Sequence, residues 1–204
     1  WIMERSGRDP TIMNGAVMKN FVSPDAPFAS ARVGDGNTFV SEVDESDGSI
    51  ALYQPKVAVL FNVSLDHKSM EELRALFGDF VGKAKVAAIN ADDGESVALA
   101  GRARALVSFG IASGDAMIGV VPGSLNEGPV SISATVIDRR DGSQHPLSLM
   151  VPGRHNLANA LAAIAGCNAA GVAVADCVEA LASFAGLARR FDVIGTSPSG
   201  ITVI

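Results

Sequence analysis

Short apolar runs alternate with segments of helical pattern through the middle of this chain, and this alternation strongly limits its possible folds. Residues 56–63, 86–90 and 105–109 are apolar runs of strand length, and the residues between them, 69–84 and 95–104, have helical patterns. Because parallel strands need a crossover, usually a helix, the sequence predicts a parallel α/β sheet. The unbroken apolar run at 56–63 further predicts a strand that is buried on both faces.

The later part of the chain changes to a hairpin pattern. Three segments alternate between polar and apolar residues, namely 117–121, 130–139 and 144–151. Asp141-Gly142, between the last two, is a strong hairpin signal. We therefore expect an α/β fold with a mostly parallel sheet flanked by helices and a small antiparallel β appendage at about residues 115–151. Two helices are expected at 156–171 and 174–185, and residues 1–204 are interpreted as one domain.

Composition and charge exclude several classes of protein. Hydrophobic residues make up 48% of the chain, which excludes disordered and collagen-like proteins. Lys and Arg number 16 against 22 Asp and Glu, a net charge of −6, so we expect no nucleic-acid partner. No apolar run reaches the roughly 18 residues of a membrane span. Cys167 and Cys177 lie among Ala and Val, as buried free thiols do, and no signal peptide is recognisable, so we expect a cytoplasmic protein.

An acidic string follows the strand expected at residues 38–43. In an open parallel sheet, ligands bind beyond the carboxyl ends of the strands, so Glu42 would face that crevice. A carboxylate there can hold Mg²⁺, which takes one or two protein oxygens and completes its shell with water and phosphate oxygens. The alternative is a solvated acidic loop in which Ser46 or Asp47 caps the next helix.

A histidine follows the strand expected at residues 56–63. His67, in Asp66-His67, is expected to converge on the site of Glu42, because both residues follow strands that we assign to one sheet. A histidine with a carboxylate suits a second metal position or a phosphate contact. Alternatively, Asp66 and His67 form the first turn of the helix at 70–84.

Two further groups of polar residues have the chemistry to contact a nucleotide. A tight turn opens the helix expected at 156–171, and the free N–H groups of a helix start favour an anion or a polar ring system. Asn156 and Asn159 share a face, and their amides can donate and accept as an adenine edge requires. Alternatively, Asn156 is only the N-cap. Arg189 and Arg190 could bind a phosphate or pair with surface carboxylates.

Familiar nucleotide-binding fingerprints are absent from the sequence. A P-loop needs Gly-x-x-x-x-Gly-Lys-Ser/Thr after a strand, and the nearest string, residues 78–84, is one residue short, ends in Ala and falls in an expected helix. No Gly-x-Gly-x-x-Gly follows a strand, which disfavours a nicotinamide dehydrogenase. The Cys and His residues lack the spacing of a zinc site.

Four strings, in order along nearly the whole chain, resemble the central ATP-binding domain of the Mur ligase family. They are residues 41–47 (SEVDESD), 62–67 (NVSLDH), 153–160 (GRHNLANA) and 184–191 (FAGLARRF). The acidic string and residues 9–15 (DPTIMNG) are most similar to the members of the family that add L-alanine.

The resemblance implies an ATP-dependent, ADP-forming ligase of cell-wall synthesis. Such an enzyme activates a UDP-N-acetylmuramate carboxylate as an acyl phosphate, which the amine of an amino acid then attacks to form an amide. By resemblance, Glu42 would bind the Mg²⁺ that bridges the ATP phosphates, and His67 would bind a second Mg²⁺ near the acyl phosphate, so both are the expected catalytic residues. His155, Asn156 and Asn159 would line the adenine side, and Arg190 would contact the nucleotide.

The chain also departs from the family pattern. The family's P-loop and first domain would precede Trp1 and its third domain would follow Ile204, so we expect a truncated central domain that is inactive alone. Lys68-Ser69 stands where the alanine-adding members have Met-Asp, and Lys83 and Lys85 are only near the family's carbamoylated lysine. Two alternatives stay open, a recycling ligase that adds a tripeptide to the same sugar nucleotide and a nucleotide-binding module without catalysis.

Overall fold

The chain folds as alternating strands and helices, in a computed structural model that describes residues 1–46, 48–66, 68–190, 195–200 and 202–203. The α-helices of this part are α1 (Ile2–Arg5), α2 (Met70–Lys83), α3 (Gly94–Leu99), α4 (Arg154–Ala169) and α5 (Val174–Leu181). The strands are β1 (Thr11–Met13), β2 (Ala31–Arg32), β3 (Phe39–Ser41), β4 (Val57–Leu60), β5 (Val86–Asn90), β6 (Leu106–Phe109), β7 (Ile118–Val120), β8 (Asn126–Glu127), β9 (Ile132–Asp138), β10 (Ser143–Leu149), β11 (Gly195–Thr196) and β12 (Thr202–Val203). Asp47 and His67, both singled out in the sequence, lie outside the described residues.

A seven-stranded sheet forms the centre of the molecule. Its strand order is β10-β9-β7-β6-β5-β4, with β8 beside β9. Strands β4 to β7 are parallel, and β9 is antiparallel to β7, β8 and β10. The β9–β10 hairpin predicted from Asp141-Gly142 is confirmed. Its loop is residues 139–142, and Gly142 at the end of the loop has φ +78°. The predicted α/β fold is confirmed, and the antiparallel hairpin extends the edge of the large sheet.

Helices cover both faces of the parallel strands, as successive residues of β5 show. Ala87 and Ile89 pack with residues of α2 and α3, whereas Ala88 packs with residues of α1, α4 and α5. Period-two alternation sends these side chains to opposite faces, and both faces of β5 are apolar because both are covered. Ser69 is the N-cap of α2. Its side chain accepts the Glu72 N–H, while the Glu72 carboxylate accepts the Ser69 N–H. This capping box fixes the start of α2 three residues after Asp66.

Two sequence-based expectations about the strands are wrong. The strand at Val57–Leu60 is not buried on both faces, because β4 is the edge strand of the sheet and Val59 remains 43% exposed. The strand before Glu42 does not belong to the large sheet. It is β3 of a separate three-stranded sheet, in which β1 is the central strand and pairs with β2 antiparallel and with β3 parallel.

The strand directions determine which loops share an edge of the large sheet. Strand β10 is antiparallel to β9, which is antiparallel to β7, so β10 runs in the same direction as β4 to β7. Its carboxyl end, and the start of α4 that follows it, therefore lie at the same edge as the loops after β4, β5 and β6. Ligands bind at this edge in open α/β sheets.

The two thiols are free, as the sequence predicts. Burial raises the pKa of Cys167 to about 11 and that of Cys177 to about 12, so both stay protonated at neutral pH. Among the described residues, no helix is both long and apolar enough to cross a membrane.

Candidate functional site

Glu42 is held at the end of the small sheet by the strand beside it. In the parallel pair of β1 and β3, Met13 lies opposite Ser41, so Gly15 and Glu42 follow the two strands at the same end. The Glu42 N–H donates to the Met13 carbonyl at 2.9 Å, and the Gly15 N–H donates to Glu42 Oε2 at 2.7 Å. A Cβ on Gly15 would lie 2.9 Å from that same oxygen. The carboxylate is therefore oriented by a backbone donor that only a glycine presents without displacing it.

An open, acidic cleft of about 570 Å³ surrounds this carboxylate. Its lining residues come from the end of β1 and from the loops after β1, β3 and β4, and they are Met13, Asn14, Gly15, Glu42, Val43, Asp44, Glu45, Ser46 and Asp66. Four of them are carboxylates. The structure thus brings Glu42 and Asp66 together across two different sheets, and Asp66 is the neighbour of His67 in the chain.

The small sheet is held in place by a cluster of charges and close backbone contacts. Arg32 of β2 lies 3.1 Å from Glu4 Oε2 and 2.6 Å from Asp9 Oδ1. Asp9 has a left-handed φ of +41°, and hydrogen bonds from the Asp35 N–H and from Arg32 hold the pKa of its carboxyl below the usual value. A Cβ on Gly36 would lie 1.8 Å from the Arg8 carbonyl oxygen, so only glycine permits this approach. These contacts fix the residues that precede β1, and therefore the path to Gly15.

Two adjacent aspartates join the loops at the carboxyl edge of the large sheet. The Asp92 carboxylate accepts three consecutive backbone N–H groups in the loop after β6, from residues 111–113, at 2.6 to 3.2 Å. Asp93 caps α3 through the Ser96 N–H at 2.8 Å and also accepts the Val63 N–H at 3.3 Å. Because Val63 precedes Asp66 in the loop after β4, this contact helps to place the wall of the cleft that Asp66 forms.

A lysine side chain joins two of the loops that line the cleft. Lys68 Nζ donates to the Ser46 carbonyl at 3.0 Å, which connects the loop after β4 with the acidic loop after β3. The start of α2 is capped by Ser69, so Asp66 does not form the first turn of that helix. In the same way, Gly48 caps the 3₁₀ helix Ser49–Leu52, so Ser46 is not a cap.

The residues expected on the adenine side lie at the start of α4, outside the lining of the acidic cleft. Gly153, with φ +92°, is the N-cap, so Asn156 is not. A Cβ on Gly153 would lie 2.6 Å from the His155 ring, and the Asn156 side chain donates to the Pro152 carbonyl at 2.7 Å. His155 and Asn159 are exposed. These residues stand at the sheet edge where nucleotides bind in such folds, but nearer the β10 end of the sheet.

Arg190 is exposed and also lies outside the residues that line the cleft. It follows Arg189, which has a left-handed φ of +62°. The segment before it is joined by backbone hydrogen bonds to residues 17–19, which follow Gly15 along the chain. These bonds hold the chain as far as Ala188 beside the segment that follows Gly15.

The acidic cleft fits a metal ion that takes few protein ligands. Among the described residues, no three His, Cys, Asp or Glu side chains are grouped as a metal cage. Mg²⁺ needs no such cage, since it keeps several waters and binds through one or two carboxylates plus substrate phosphates. Glu42 meets that requirement because its Oε2 is oriented by Gly15, while its Oε1 accepts no hydrogen bond from the described part of the chain.

Sequence reasoning missed Gly15 as part of the site. Asn14-Gly15 predicts a turn, but the sequence does not indicate that its N–H binds a carboxylate 27 positions later. The β-branched residues Thr11 and Ile12 could have indicated the role of Gly15, because they predict a strand before Asn14 that can pair with residues 39–41. Asp92 and Asp93 were missed because an Asp-Asp pair after a strand also suits a solvated turn.

Comparison with known proteins identifies the family. Residues 18–167 match the model of the Mur ligase middle domain. UDP-N-acetylmuramate–L-alanine ligase of Lawsonia intracellularis is 32% identical over 216 residues, covering 100% of this chain. The chain belongs to the Mur ligase family. The same enzyme of Streptomyces coelicolor is 37% identical over 191 residues, covering 88% of this Mur ligase domain.

Solved structures agree with this assignment. The crystal structure of UDP-N-acetylmuramate–alanine ligase from Thermotoga maritima superposes with a TM-score of 0.80 at 25% identity, covering 97% of this Mur ligase domain and 44% of that chain. A murein peptide ligase from Psychrobacter arcticus has a TM-score of 0.75 at 22% identity, covering 96% and 45%, and shows the shared fold. The domain spans 44% of the length of the Lawsonia relative and 40% of the Streptomyces relative.

Proposed function

We propose that this chain is the central, nucleotide-binding domain of an ATP-dependent, ADP-forming ligase that joins the carboxylate of UDP-N-acetylmuramate to an amino acid. The observation that carries the proposal is the Glu42 carboxylate, oriented by the Gly15 N–H in a cleft of about 570 Å³, in a chain of the Mur ligase family. The proposed amino acid is L-alanine, which the names of the Lawsonia and Streptomyces relatives include. Because ATP is a substrate, we propose that the reaction takes place in the cytoplasm.

Glu42 is the proposed protein ligand of Mg²⁺, with His67 proposed for a second ion. When bound, Mg²⁺ neutralises charge on the phosphates during phosphoryl transfer. Glu42 contributes a fixed carboxylate, so that little reorganisation is needed when an ion and phosphates arrive. The other acidic residues of the cleft attract cations to it by their summed field. Lys68, which donates to the Ser46 carbonyl, joins the loop of Asp66 to the acidic loop that follows Glu42.

His155, Asn156 and Asn159 are the proposed contacts on the adenine side, and Arg190 the proposed contact to the nucleotide. The start of α4 offers backbone N–H groups and the positive end of the helix dipole to a nucleotide. The Asn156 side-chain amide donates one hydrogen bond to the Pro152 carbonyl, which fixes the Asn156 rotamer. The side-chain oxygen of Asn156 can then accept from an adenine amino group. In the proposed reaction, phosphoryl transfer gives an acyl phosphate and ADP, and the amino acid's amine then displaces phosphate.

The test is turnover by the complete protein that carries this domain. We expect Glu42→Gln to lower ATP-dependent ADP release by at least about 100-fold, because the neutral amide is a poor Mg²⁺ ligand. His67→Ala is expected to act in the same direction. Glu71→Gln, which removes an exposed carboxylate in the first turn of α2, is the matched control and should retain normal turnover.

The same assay separates the proposal from its alternatives. Turnover with L-alanine but not with a tripeptide supports the amino-acid ligase, and the reverse result indicates the recycling ligase. Wild-type turnover in both Glu42→Gln and His67→Ala would contradict the catalytic proposal and favour a nucleotide-binding module without catalysis.

A further inference from the structure

Asn20 forms a two-point clamp on the segment that follows α5. Its side-chain amide donates to the Ser183 carbonyl at 2.8 Å, and its side-chain oxygen accepts the Ala185 N–H at 2.8 Å. The two bonds join positions more than 160 residues apart, and both partners are backbone groups. Asn20 therefore fixes where the backbone of that segment runs, whatever side chains the segment carries.

The clamp continues into a short antiparallel bridge. Met18 pairs with Leu187, the Lys19 N–H donates to the Gly186 carbonyl at 3.3 Å, and the Ala188 N–H donates to the Val17 carbonyl at 3.0 Å. Gly186 has φ +84°, and a Cβ there would lie 3.0 Å from Val151 Cγ1. The segment therefore also packs closely against the buried side chain of Val151. Around Leu187 the chain runs antiparallel to residues 17–19.

This bridge fixes the start of the turn that carries the two arginines. Leu187 is three residues before Arg190, and the pairing ends there because residues 188 and 189 form a turn in which Arg189 has φ +62°. Met18, the partner of Leu187, is three residues after Gly15, whose N–H binds Glu42. The clamp at Asn20 thus connects the proposed nucleotide-binding arginine with the wall that presents the proposed metal-binding carboxylate.

We propose that Asn20 is a positioning residue for nucleotide binding, which acts by holding the segment 183–190 so that Arg190 faces the nucleotide beside the Glu42 cleft. The inference rests on the proposed function and deepens it. Asn20 hydrogen-bonds the backbone at Ser183 and Ala185, so in this proposal it acts on the nucleotide indirectly, through Arg190. Removing the clamp lets the segment sample other positions, and each nucleotide that binds must then restore the productive one.

The experiment is a double-mutant cycle in the complete protein that carries this domain. Asn20→Ala is expected to raise the KM for ATP about tenfold, a factor that corresponds to 1.4 kcal/mol, with kcat changed less than about twofold. In the Arg190→Ala background, Asn20→Ala is expected to change the KM for ATP by less than about twofold, because the residue through which it acts is already gone. Asn168→Ala is the matched control, since it removes a comparable side-chain bond to the Val172 carbonyl at the end of α4.

Other outcomes overturn the inference. A normal KM for ATP in Asn20→Ala, or the full tenfold effect in the Arg190→Ala background, shows that Asn20 does not act through Arg190. If Asn20→Ala does not fold, Asn20→Asp is used in its place. The aspartate still accepts the Ala185 N–H but cannot donate to the Ser183 carbonyl.

Hydrogen exchange separates this inference from the proposed function. Asn20→Ala should speed exchange at the Ala185 and Ala188 amides while Asn168→Ala does not, and unchanged exchange would overturn the clamp itself. A wild-type protein without ATP-dependent turnover would contradict the proposed function, whereas normal wild-type turnover with an unaffected Asn20→Ala contradicts only the inference.

Discussion

At the scale of single residues, the orientation of Glu42 depends on the absence of a side chain at Gly15. The Gly15 N–H approaches Glu42 Oε2 at 2.7 Å, and a Cβ on Gly15 would lie 2.9 Å from the same atom. The atom that an alanine Cβ would contact, Glu42 Oε2, is the end of a flexible side chain that can move. Gly15 does not have a left-handed φ, so its backbone conformation is also open to alanine. A substitution at Gly15 therefore moves the carboxylate and leaves the fold intact.

We expect Gly15→Ala to impair the site without unfolding the domain. Because the displaced Glu42 carboxylate must be reoriented before it binds an ion, the Mg²⁺ concentration for half-maximal turnover of the complete protein should rise about tenfold. The free energy of unfolding should change by less than about 0.5 kcal/mol, measured by urea denaturation.

Gly114→Ala is the control for Gly15→Ala, because Gly114 is exposed and a Cβ there meets no atom within 4 Å. The two variants should have equal stability and differ only in their Mg²⁺ dependence. Equal Mg²⁺ dependence would show that the contact with Gly15 does not orient Glu42.

The sequence allowed prediction of some residues of the site because their signals are local. Glu42 and the Asp66-His67 pair come at or shortly after the ends of strand-like runs. The structure places Glu42 and Asp66 at one cleft, although Asp66 itself was not predicted as a site residue. The partners that orient them could not be predicted in the same way. Gly15 and Asp93 act through contacts with residues 27 and 30 positions away, and such contacts depend on strand pairing that single-sequence patterns do not encode.

At the scale of elements, the start of α2 determines where the loop of Asp66 ends. The capping box of Ser69 and Glu72 satisfies two N–H groups at the first turn. Hydrogen bonds from the Ser69 hydroxyl and the Ser69 N–H lower the pKa of the Glu72 carboxyl from 4.5. The contribution of ionised Glu72 to stability is therefore complete above pH 4.5 and is lost as the pH falls through the lowered pKa of the folded state.

We expect Ser69→Ala to lower the free energy of unfolding by about 1 kcal/mol at neutral pH, because the cap at the start of α2 is lost. The difference in the free energy of unfolding between Ser69→Ala and wild type should become smaller below the lowered pKa of Glu72, because the Glu72 carboxylate of the capping box is then protonated. Urea denaturation of the 204-residue chain at several pH values measures both effects. Ser148→Ala, at an exposed position of β10, is the control, and an equal loss in both variants at neutral pH would contradict the capping role.

The predicted elements were confirmed where periodicity carried the signal. Residues 86–90 form β5 as expected, and the helix expected at 69–84 is α2 at Met70–Lys83. The sheet to which a strand belongs was not predictable. The apolar run at 56–63 has the pattern of a central strand but forms the edge strand β4, and the strand before Glu42 joins a separate sheet. Periodicity reports which residues alternate, whereas sheet membership depends on contacts between distant segments.

At the scale of the whole molecule, the proposed site has contributions from both sheets and from the start of α4. The small sheet supplies Glu42, the large sheet supplies Asp66, and α4 supplies His155. Phosphoryl transfer also needs a cradle of donors around the phosphates of ATP. The sequence of this chain contains no P-loop string, and we propose that the ligase takes this cradle from a part of the protein outside these 204 residues.

We therefore expect the 204-residue chain alone to release no ADP above background when it is incubated with ATP, Mg²⁺, UDP-N-acetylmuramate and L-alanine. The complete protein should release ADP under the same conditions, because phosphate positioning accounts for most of the catalysis in such reactions. Circular dichroism and cooperative urea unfolding verify that the chain alone is folded, so that inactivity reflects missing groups. ADP release by the isolated chain that disappears in Glu42→Gln would contradict the prediction, since the residues present here would then be sufficient to position ATP.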